Sequence, residues 1–378
     1  MAQHHIDVQV SKRAFRDNIR YVKELVAPAK VCVVMKANAY GHGLEALAPV
    51  AVEAGADVIG ICTNPEAETV RGLGLTIPLL RLRMALPEEL DEALDGLDVE
   101  EQVGGIEQAT YLDEGARRRK KKVPVHVNLD TGMGRSGFLP RDVATLKEIC
   151  ALPGLEIRGV MTHFASADGS NLDFTGRQIA RFEEMLAQFL DVLPVGVLSH
   201  THNSAATVRL GPKHTGSARA GELVRVGAAC YGVRTSTDFE NPHALKPVMS
   251  VRTRVAQVRD IPAGFTIGYS SLFETKRASR IASLPVGFGE GYPRSLFNKG
   301  IVLIGGQRCP VVGRVSLNIT TVDVTDVPTP VKWGDEAVLV GNQGDAAMTF
   351  EELADKFSSV HTEINLSAGF MNRIRYLD

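Results

Sequence analysis

The sequence lacks long apolar runs, a large charge imbalance and closely spaced cysteines. No apolar stretch approaches the ~20 residues of a membrane-spanning helix, so we expect no transmembrane segment. The formal net charge is only −2, which gives no electrostatic reason to expect nucleic acid or an anionic membrane as a partner. The five cysteines are scattered along the chain, and this favours reduced thiols over a disulfide framework or a structural zinc site.

The amino terminus, MAQHHIDVQV, has neither the basic segment nor the apolar segment that begins a signal peptide. We therefore expect a cytoplasmic protein, and a periplasmic location stays open for a precursor that carried a signal peptide. A single run of basic residues stands at 117–122. Because no other basic or aromatic residues accompany it, a solvated helix end explains this run better than a nucleic-acid site.

Short apolar runs and helical patterns alternate over residues 10–238. Near-continuous apolar strands separated by helices predict a parallel sheet that is covered on both faces. About eight such units predict a (β/α)8 barrel of the TIM type, with a doubly wound sheet as the alternative. Asn64 followed by Pro65 predicts the capped start of one helix. The runs read as strands are VCVVMK, DVIGICT, IPLLRLR, VEEQVG, VPVHVNLD, IRGVMTHF, VGVLSH and ELVRVGAACYG.

The pattern changes in residues 239–378. The segments RIASLPVGFG, IVLIGGQRCPVV and DEAVLVGN read as strands joined by glycine and proline turns, with little helix between them. We therefore predict a second, mostly β domain here, which also includes an N-terminal strand at residues 1–9.

Chemically reactive side chains follow several of the predicted barrel strands. Each has an ordinary structural explanation, such as a surface lysine or a hydrogen-bonded core histidine. Several of them at strand ends indicate a functional site instead, because the carboxyl ends of barrel strands form one face. The HTH sequence at 200–202 lacks further ligands at metal spacing, so we expect no metal. The residues are Lys36, Arg135, His163, His202, Asn203, Ser204 and Arg225.

These residue types fit binding of a phosphorylated carbonyl compound. A lysine at a buried strand end loses its proton more readily, which suits Schiff-base chemistry. Arg135 can approach a carboxylate or phenolate as a planar fork. Ser204, Tyr40 and the amides around Gly227 are donors of the kind that hold a phosphate.

The segment VVMKANAYGHG resembles the pyridoxal-phosphate lysine motif of the alanine racemase family. Further motifs in family order extend the resemblance along nearly the whole chain: LDTGMGRSG, VMTHF, HNSAA, VRVGAACYG, IGYSSLF, LPVGFGEGYPR and VGRVSLN. The resemblance implies a pyridoxal 5′-phosphate cofactor, an amino-acid substrate and an N-terminal barrel with a β-rich C-terminal domain. It also implies a head-to-tail homodimer with active sites at the interface.

The resemblance implies a two-base racemisation. Lys36 would hold the cofactor and act as one base, and Tyr269 of the partner subunit would act on the opposite face. Two groups on opposite faces allow the α-proton to leave one side and return on the other. His163 and Arg225 would make Tyr269 a better base through a hydrogen-bonded chain. Arg225 would face the pyridine nitrogen and keep it unprotonated, because an arginine does not give up its proton.

The remaining implied roles concern the cofactor phosphate, the substrate and the entrance. Arg135 would contact the cofactor phenolate and the substrate carboxylate, which the backbone amide of Leu317 would also meet. The implied cofactor-binding residues are Lys36, Tyr40, Arg135, His163, Asn203, Ser204, Arg225, Gly227 and Ala228. The implied entrance or second-layer residues are Tyr292, Arg294, Asn318 and Asn372.

The sequence departs from the alanine racemase pattern at three positions. Asn128 stands where many members carry a carbamylated lysine, and its amide could bond Arg135 directly. Asn318 replaces a carboxylate, and Asn372 replaces a tyrosine that narrows the entrance. These changes are similar to the broad-specificity amino-acid racemase branch, which accepts alanine, serine and basic amino acids. Ordinary drift within an alanine racemase is the alternative.

Two rival functions remain at this point. A fold-type III decarboxylase also joins a pyridoxal-phosphate barrel to a β domain, but decarboxylation needs no second base such as Tyr269. A non-catalytic protein that binds or buffers the cofactor resembles the barrel alone, so the motifs in the second domain count against it.

Overall fold

The computed structural model describes residues 5–211, 221–236, 238–239, 242, 244–356 and 358–378. The chain forms two compact units. One comprises Phe15–Ala39 and Leu44–Leu245. The other comprises the chain up to Ala14, the short segment Tyr40–Gly43 and Lys246–Asp378. The first strand, β1 (Ile6–Ser11), belongs to the second of these units, and residues 1–4 of the predicted N-terminal strand lie outside the described residues.

The first unit is a closed barrel of eight parallel strands. The last strand pairs with the first, with Lys30 opposite Leu223, and this closure excludes the doubly wound alternative. The predicted (β/α)8 barrel is confirmed. Each observed strand lies within or next to a predicted apolar run, because a barrel strand is buried on both faces. The strands are β2 (Lys30–Val34), β3 (Val58–Ile61), β4 (Leu79–Arg81), β5 (Val99–Val103), β6 (Val123–Asn128), β7 (Leu155–Met161), β8 (Leu198–His200) and β9 (Gly221–Val226).

Helices connect the barrel strands and cover them. Helix α8, for example, buries Phe182 and Leu186, which recur at the helical spacing predicted from the sequence. The helices are α1 (Lys12–Val26), the short turn α2 (Lys36–Tyr40), α3 (Leu44–Glu53), α4 (Asn64–Gly72), α5 (Pro87–Leu94), α6 (Ile106–Arg118), α7 (Val143–Cys150), α8 (Asp173–Ala187) and α9 (Ser204–Leu210).

The start of α4 differs in its capping residue from the sequence prediction, whereas the end of α6 agrees with it. The N-cap of α4 is Thr63 and not Asn64, and the Asn64 Oδ1, the atom that would accept in a cap, accepts instead from the Arg81 guanidinium at 2.5 Å. Helix α6 ends at Arg118, inside the basic run, as predicted for a solvated helix end. Within the described residues, we find no helix with the length and apolar character needed to cross a bilayer.

The second unit is mostly β. Its main sheet has the strand order β16-β15-β18-β10-β1-β20, with β19 paired to β18. Smaller sheets join β11, β14 and β17, and β12 with β13. The strands are β10 (Met249–Arg254), β11 (Gln257–Ile261), β12 (Thr266–Ile267), β13 (Phe273–Glu274), β14 (Ser279–Leu284), β15 (Ile301–Ile304), β16 (Gln307–Pro310), β17 (Thr320–Asp323), β18 (Glu336–Gln343), β19 (Ala346–Met348) and β20 (Ile374–Leu377). Two helices, α10 (Phe350–Asp355) and α11 (His361–Met371), also belong to this unit.

Candidate active site

Lys36 opens an unusual backbone turn immediately after β2. The strand ends at Val34, and Ala37, Asn38 and Ala39 have φ values of 53°, 54° and 54°. Tyr40 follows with φ 52°. None of these residues is glycine, and the left-handed conformation costs about 1–2 kcal/mol for each. Other interactions must therefore hold this turn in place.

Glu66 of α4 supplies the most direct of these interactions. Its Oε1 accepts the Ala37 amide at 2.5 Å, and its Oε2 accepts the Cys62 and Thr63 amides at 2.7 and 3.2 Å. The Asn38 side chain also accepts the Leu44 amide at 2.7 Å. The half-buried Lys36 side chain is thus carried on a turn that α4 anchors.

The buried Arg225 and the half-buried His163 lie next to each other in the barrel unit. Arg225 lies on β9 and is 3% exposed. One guanidinium nitrogen donates to the Thr162 carbonyl at 2.6 Å and faces His163 Nδ1 at 3.3 Å. Because arginine only donates hydrogen bonds, His163 Nδ1 is an acceptor, and the proton of the neutral ring lies on Nε2.

Several of the predicted residues are close enough to His163 for their charges to act on it. Burial is the largest cause that lowers the pKa of His163 to about 3, followed by the positive charges of Arg225, Arg135 and Lys36 in that order. His163 therefore stays neutral at ordinary pH, within the field of three cations. Burial lowers the pKa of Arg225 to about 10, which leaves its guanidinium charged at neutral pH.

The loop that carries Arg135 is tied down by its neighbours. Asp130 Oδ1 accepts the amides of Gly132 and Gly134 at 2.9 and 3.1 Å. In the described structure, Asn128 donates to the Ser136 carbonyl at 2.7 Å rather than to Arg135. Asn128 therefore acts on the loop backbone next to Arg135, and the direct bond expected from the sequence does not form.

Ser204 and the turn after β9 provide neutral donors. Ser204 Oγ accepts the Gly227 amide at 2.9 Å and the Ala229 amide at 3.3 Å. A hydroxyl has two acceptor positions and one proton, so this proton stays available for an anion. Asn203 caps α9 by accepting the Ala206 amide at 3.1 Å, and it donates to the Phe164 carbonyl at 3.3 Å.

This donor set fits pyridoxal 5′-phosphate. The cofactor needs an amine for its aldehyde, neutral N–H and O–H donors for its phosphate, and a partner for its ring nitrogen. Lys36 is the amine, the Ser204 hydroxyl and the turn at Gly227 and Ala228 are the neutral donors, and Arg225 is a fixed cation. Beside Arg225, the half-buried His163 is neutral and adds no further charge.

The other predicted residues belong to the β-rich unit. Tyr40 is half-buried in the segment Tyr40–Gly43. Tyr269 lies in a short 3-10 turn after β12 and is 69% exposed. Leu317 is 54% exposed, and its carbonyl accepts the Gly289 amide at 2.8 Å. Gly287 is required here, because any Cβ would overlap the Ser316 carbonyl.

Glu290 connects two of the expected entrance residues within this unit. Asn318 donates to Glu290 Oε1 at 2.5 Å, and Asn372 donates to the Glu290 carbonyl at 2.9 Å. The Arg294 guanidinium lies over the Phe288 ring, 5.9 Å from its centroid. Tyr292 is buried, and burial raises the pKa of its hydroxyl. Asn318 is thus paired with a neighbouring carboxylate, although the carboxylate expected at its own position is absent.

Glu66, His126 and His200 are contacts of this site that the sequence interpretation missed. His200 was considered only as part of a metal pair, although its carbonyl accepts a hydrogen bond from Arg225 at 2.5 Å. His126 was read only as part of an apolar strand. The period-2 alternation of strand side chains was the signal for both, since a histidine on an inward position of a barrel strand faces the other strands.

Comparison with known proteins agrees with this geometry. The family model for the alanine racemase N-terminal domain matches residues 10–235, and the model for the alanine racemase C-terminal domain matches residues 248–376. The chain is 38% identical over 367 residues to an alanine racemase of Syntrophobacter fumaroxidans, covering 97% of this chain and 96% of that one. It is 34% identical over 371 residues to an alanine racemase of Methanococcus maripaludis, covering 96% of each.

Solved structures give the same result. The alanine racemase of D-cycloserine-producing Streptomyces lavendulae matches with a TM-score of 0.91 at 29% identity, over 100% of this chain and 98% of that one. The alanine racemase of Bartonella henselae with covalently bound pyridoxal phosphate matches with a TM-score of 0.88 at 27% identity, over 99% and 100% of the two chains. With both of its domains matched in order over nearly its full length, the chain belongs to the alanine racemase family.

Proposed function

We propose that this protein is a pyridoxal-phosphate-dependent racemase that interconverts L- and D-alanine. The observation that carries the proposal is the neutral, half-buried His163, which lies 3.3 Å from Arg225 and within the electrostatic field of Lys36 and Arg135. Membership of the alanine racemase family gives the reaction class, and the Bartonella henselae relative holds pyridoxal phosphate covalently.

The cofactor-binding roles follow from the donor chemistry. Lys36 would hold the cofactor through its aldehyde, and Arg225 would be the partner of the ring nitrogen. The phosphate would be held by the hydroxyls of Ser204 and Tyr40 and by the turn at Gly227 and Ala228, whose Gly227 amide fixes the Ser204 hydroxyl. When bound, pyridoxal phosphate supplies an electron-withdrawing ring that acidifies the α-hydrogen of an amino acid. Because Arg225 is permanently charged and only donates, it favours an unprotonated ring nitrogen, which makes the ring a weaker electron sink and limits side reactions.

Two bases on opposite faces account for racemisation. Lys36 accepts or returns the α-proton on one face, and Tyr269 from a partner subunit does so on the other. Strong exposure of the Tyr269 ring within its own chain supports a role toward a second subunit. The bond from Arg225 to His163 Nδ1 leaves the ring proton on Nε2, and this N–H can donate a hydrogen bond to the Tyr269 oxygen. We therefore propose a homodimer with shared active sites.

Substrate contacts complete the proposal. Arg135 and the Leu317 amide bind the substrate carboxylate, and Tyr292, Arg294, Asn318 and Asn372 belong to the entrance or to its second layer. The side chain of Asn372 is engaged with the carbonyls of Glu290 and Ala368 at 2.9 and 3.0 Å. A short side chain held back in this way supports a wider entrance, and with it turnover of serine and basic amino acids beside alanine.

The test is α-proton exchange in D2O, followed by proton NMR on both enantiomers of alanine, serine, lysine and arginine. Exchange with inversion for alanine establishes the racemase, and exchange across the panel establishes broad specificity. Inversion of alanine alone would refute broad specificity. Loss of carbon dioxide without inversion would favour a decarboxylase, and cofactor binding without any exchange would favour a non-catalytic protein.

A further inference from the structure

A continuous series of hydrogen-bonded side chains, buried except for the last, leads away from Arg225 through the barrel. An Arg225 guanidinium nitrogen lies 3.0 Å from His200 Nδ1, and His200 Nε2 lies 2.8 Å from His126 Nδ1. His126 Nε2 in turn lies 2.7 Å from Glu100 Oε2. Both histidines are fully buried. This series of hydrogen bonds joins strands β9, β8, β6 and β5, and it ends on a carboxylate.

The direction of every hydrogen bond in this chain follows from Arg225. Arginine has no acceptor, so His200 Nδ1 must accept. Burial lowers the pKa of His200 well below its usual value, so the ring is neutral and its one proton lies on Nε2. His200 Nε2–H therefore donates to His126 Nδ1. His126 then carries its proton on Nε2 and donates to Glu100.

Gly159 of β7 makes room for the contact between the two histidines. A Cβ at this position would overlap His126 Nδ1 and lie 2.8 Å from His200 Nε2. The φ of Gly159 is not in the left-handed range, so its backbone does not require a glycine. The space beside the histidine pair does require one. A glycine inside a strand often marks such a close approach.

We propose that Glu100, His126 and His200 act as positioning residues, which fix the Arg225 guanidinium and provide its counter-charge through a one-way hydrogen-bond chain. Arg225 is buried, and the chain connects it to the Glu100 carboxylate. Successive hydrogen bonds polarise one another in a low-dielectric interior, so the carboxylate charge stabilises the distant guanidinium. This inference rests on the proposed function, in which Arg225 faces the cofactor ring nitrogen.

The variant Glu100→Gln keeps an acceptor oxygen for His126 but removes the charge. Gly159→Ala pushes the two histidines apart but does not replace either of them. Glu156→Gln is the matched control for charge, because Glu156 lies on β7 with a 43% exposed side chain paired to Arg158. Gly176→Ala is the matched control for the added methyl group, because a Cβ there meets nothing within 4 Å.

The first readout is NMR of the full-length holoenzyme labelled with ¹⁵N-histidine. We expect His200 and His126 both as Nε2–H tautomers, with far-downfield protons from the buried bonds. Glu100→Gln should move the His126 proton upfield, and Gly159→Ala should remove the bond between the histidines. A His200 ring protonated on Nδ1 in the wild type would overturn the proposal, whether or not the protein racemises alanine.

The second readout is kinetic. Replacing a charge-assisted hydrogen bond by a neutral one should lower kcat about fivefold to tenfold, with KM, circular dichroism and both controls unchanged. A wild-type kcat in Glu100→Gln would overturn the proposal. If Gly159→Ala does not fold, the kinetic test rests on Glu100→Gln only. A wild-type protein that exchanges no α-proton would refute the proposed function, and the histidine tautomers would still be read directly.

Discussion

The turn that carries Lys36 should depend on one carboxylate, that of Glu66. Residues 37–40 adopt left-handed φ values without a glycine among them, at a cost of about 4–8 kcal/mol if each contributes 1–2 kcal/mol. Glu66 bonds the first amide of this turn, Ala37, as well as the Cys62 and Thr63 amides at the start of α4. The variant Glu66→Gln retains one oxygen and places an NH2 group against an amide donor.

The loss can be estimated from these bonds. A glutamine can satisfy either the Ala37 amide or the Cys62 and Thr63 pair, so at least one charge-assisted bond is lost. Such a bond contributes about 1.5–3 kcal/mol. Local opening of the turn should therefore become about 10- to 150-fold more favourable. Because Lys36 begins this turn, kcat should fall with it.

Hydrogen–deuterium exchange of a peptide that covers residues 36–44, read by mass spectrometry, measures this local opening. The matched control is Glu68→Gln, which removes the same charge from an exposed position on the same helix. Exchange in this peptide should accelerate in Glu66→Gln and stay unchanged in Glu68→Gln. Equal exchange in Glu66→Gln and the wild type would refute the argument that Glu66 holds the turn.

Three further predictions concern the proposed bases and their neighbour. Lys36→Ala should leave the circular dichroism spectrum unchanged and abolish α-proton exchange. Exchange at the wild-type rate in this variant would exclude Lys36 as a base. Tyr269→Phe should slow proton removal from one enantiomer more than from the other, and wild-type rates in both directions would exclude its role. The folded-state pKa of His163 is about 3, against about 6.5 in an unfolded chain, so the unfolded chain binds the proton first as pH falls, and stability is lost between these two values. The wild-type protein should lose about 2 kcal/mol of unfolding free energy through His163 between pH 7 and about pH 5, and His163→Gln should abolish this part of the loss. Urea denaturation at both pH values measures it. An unchanged pH dependence in the variant would contradict a neutral histidine in the folded protein.

The barrel could be predicted because its strands are buried on both faces. Val31 to Met35 are all buried, and this burial makes the segment a continuous apolar run in the sequence. The end of the strand was harder to predict. The run VCVVMK includes Lys36, whereas β2 stops at Val34, because the left-handed turn begins there. Of residues 37–40, only Asn38 is of a type that favours that conformation, since alanine and tyrosine rarely adopt it.

The residues that the sequence interpretation missed act over long separations in the chain. Glu66 reaches the turn from 29 residues away, and His126 meets His200 from 74 residues away. A motif reports residues that are close in the sequence, so it found Lys36 and Arg225 and not the carboxylates that support them. Gly159 was the available signal for the histidine pair. It interrupts the predicted strand IRGVMTHF with a residue that weakens strands, and such a glycine requires an explanation in space.

The same reasoning changes how Asn128 and Asn318 are interpreted. By sequence position, each lacks a negative charge that the alanine racemase pattern contains. In the structure, Asn318 bonds the Glu290 carboxylate at 2.5 Å, so a negative charge stays beside that position within the β-rich unit. Asn128 bonds the Ser136 carbonyl, so it fixes the loop of Arg135 through the backbone instead of through charge. Of these two asparagines, only Asn318 bonds a carboxylate, whereas Asn128 holds the loop of Arg135, and Asn128→Lys is the substitution we expect to change Arg135 most directly.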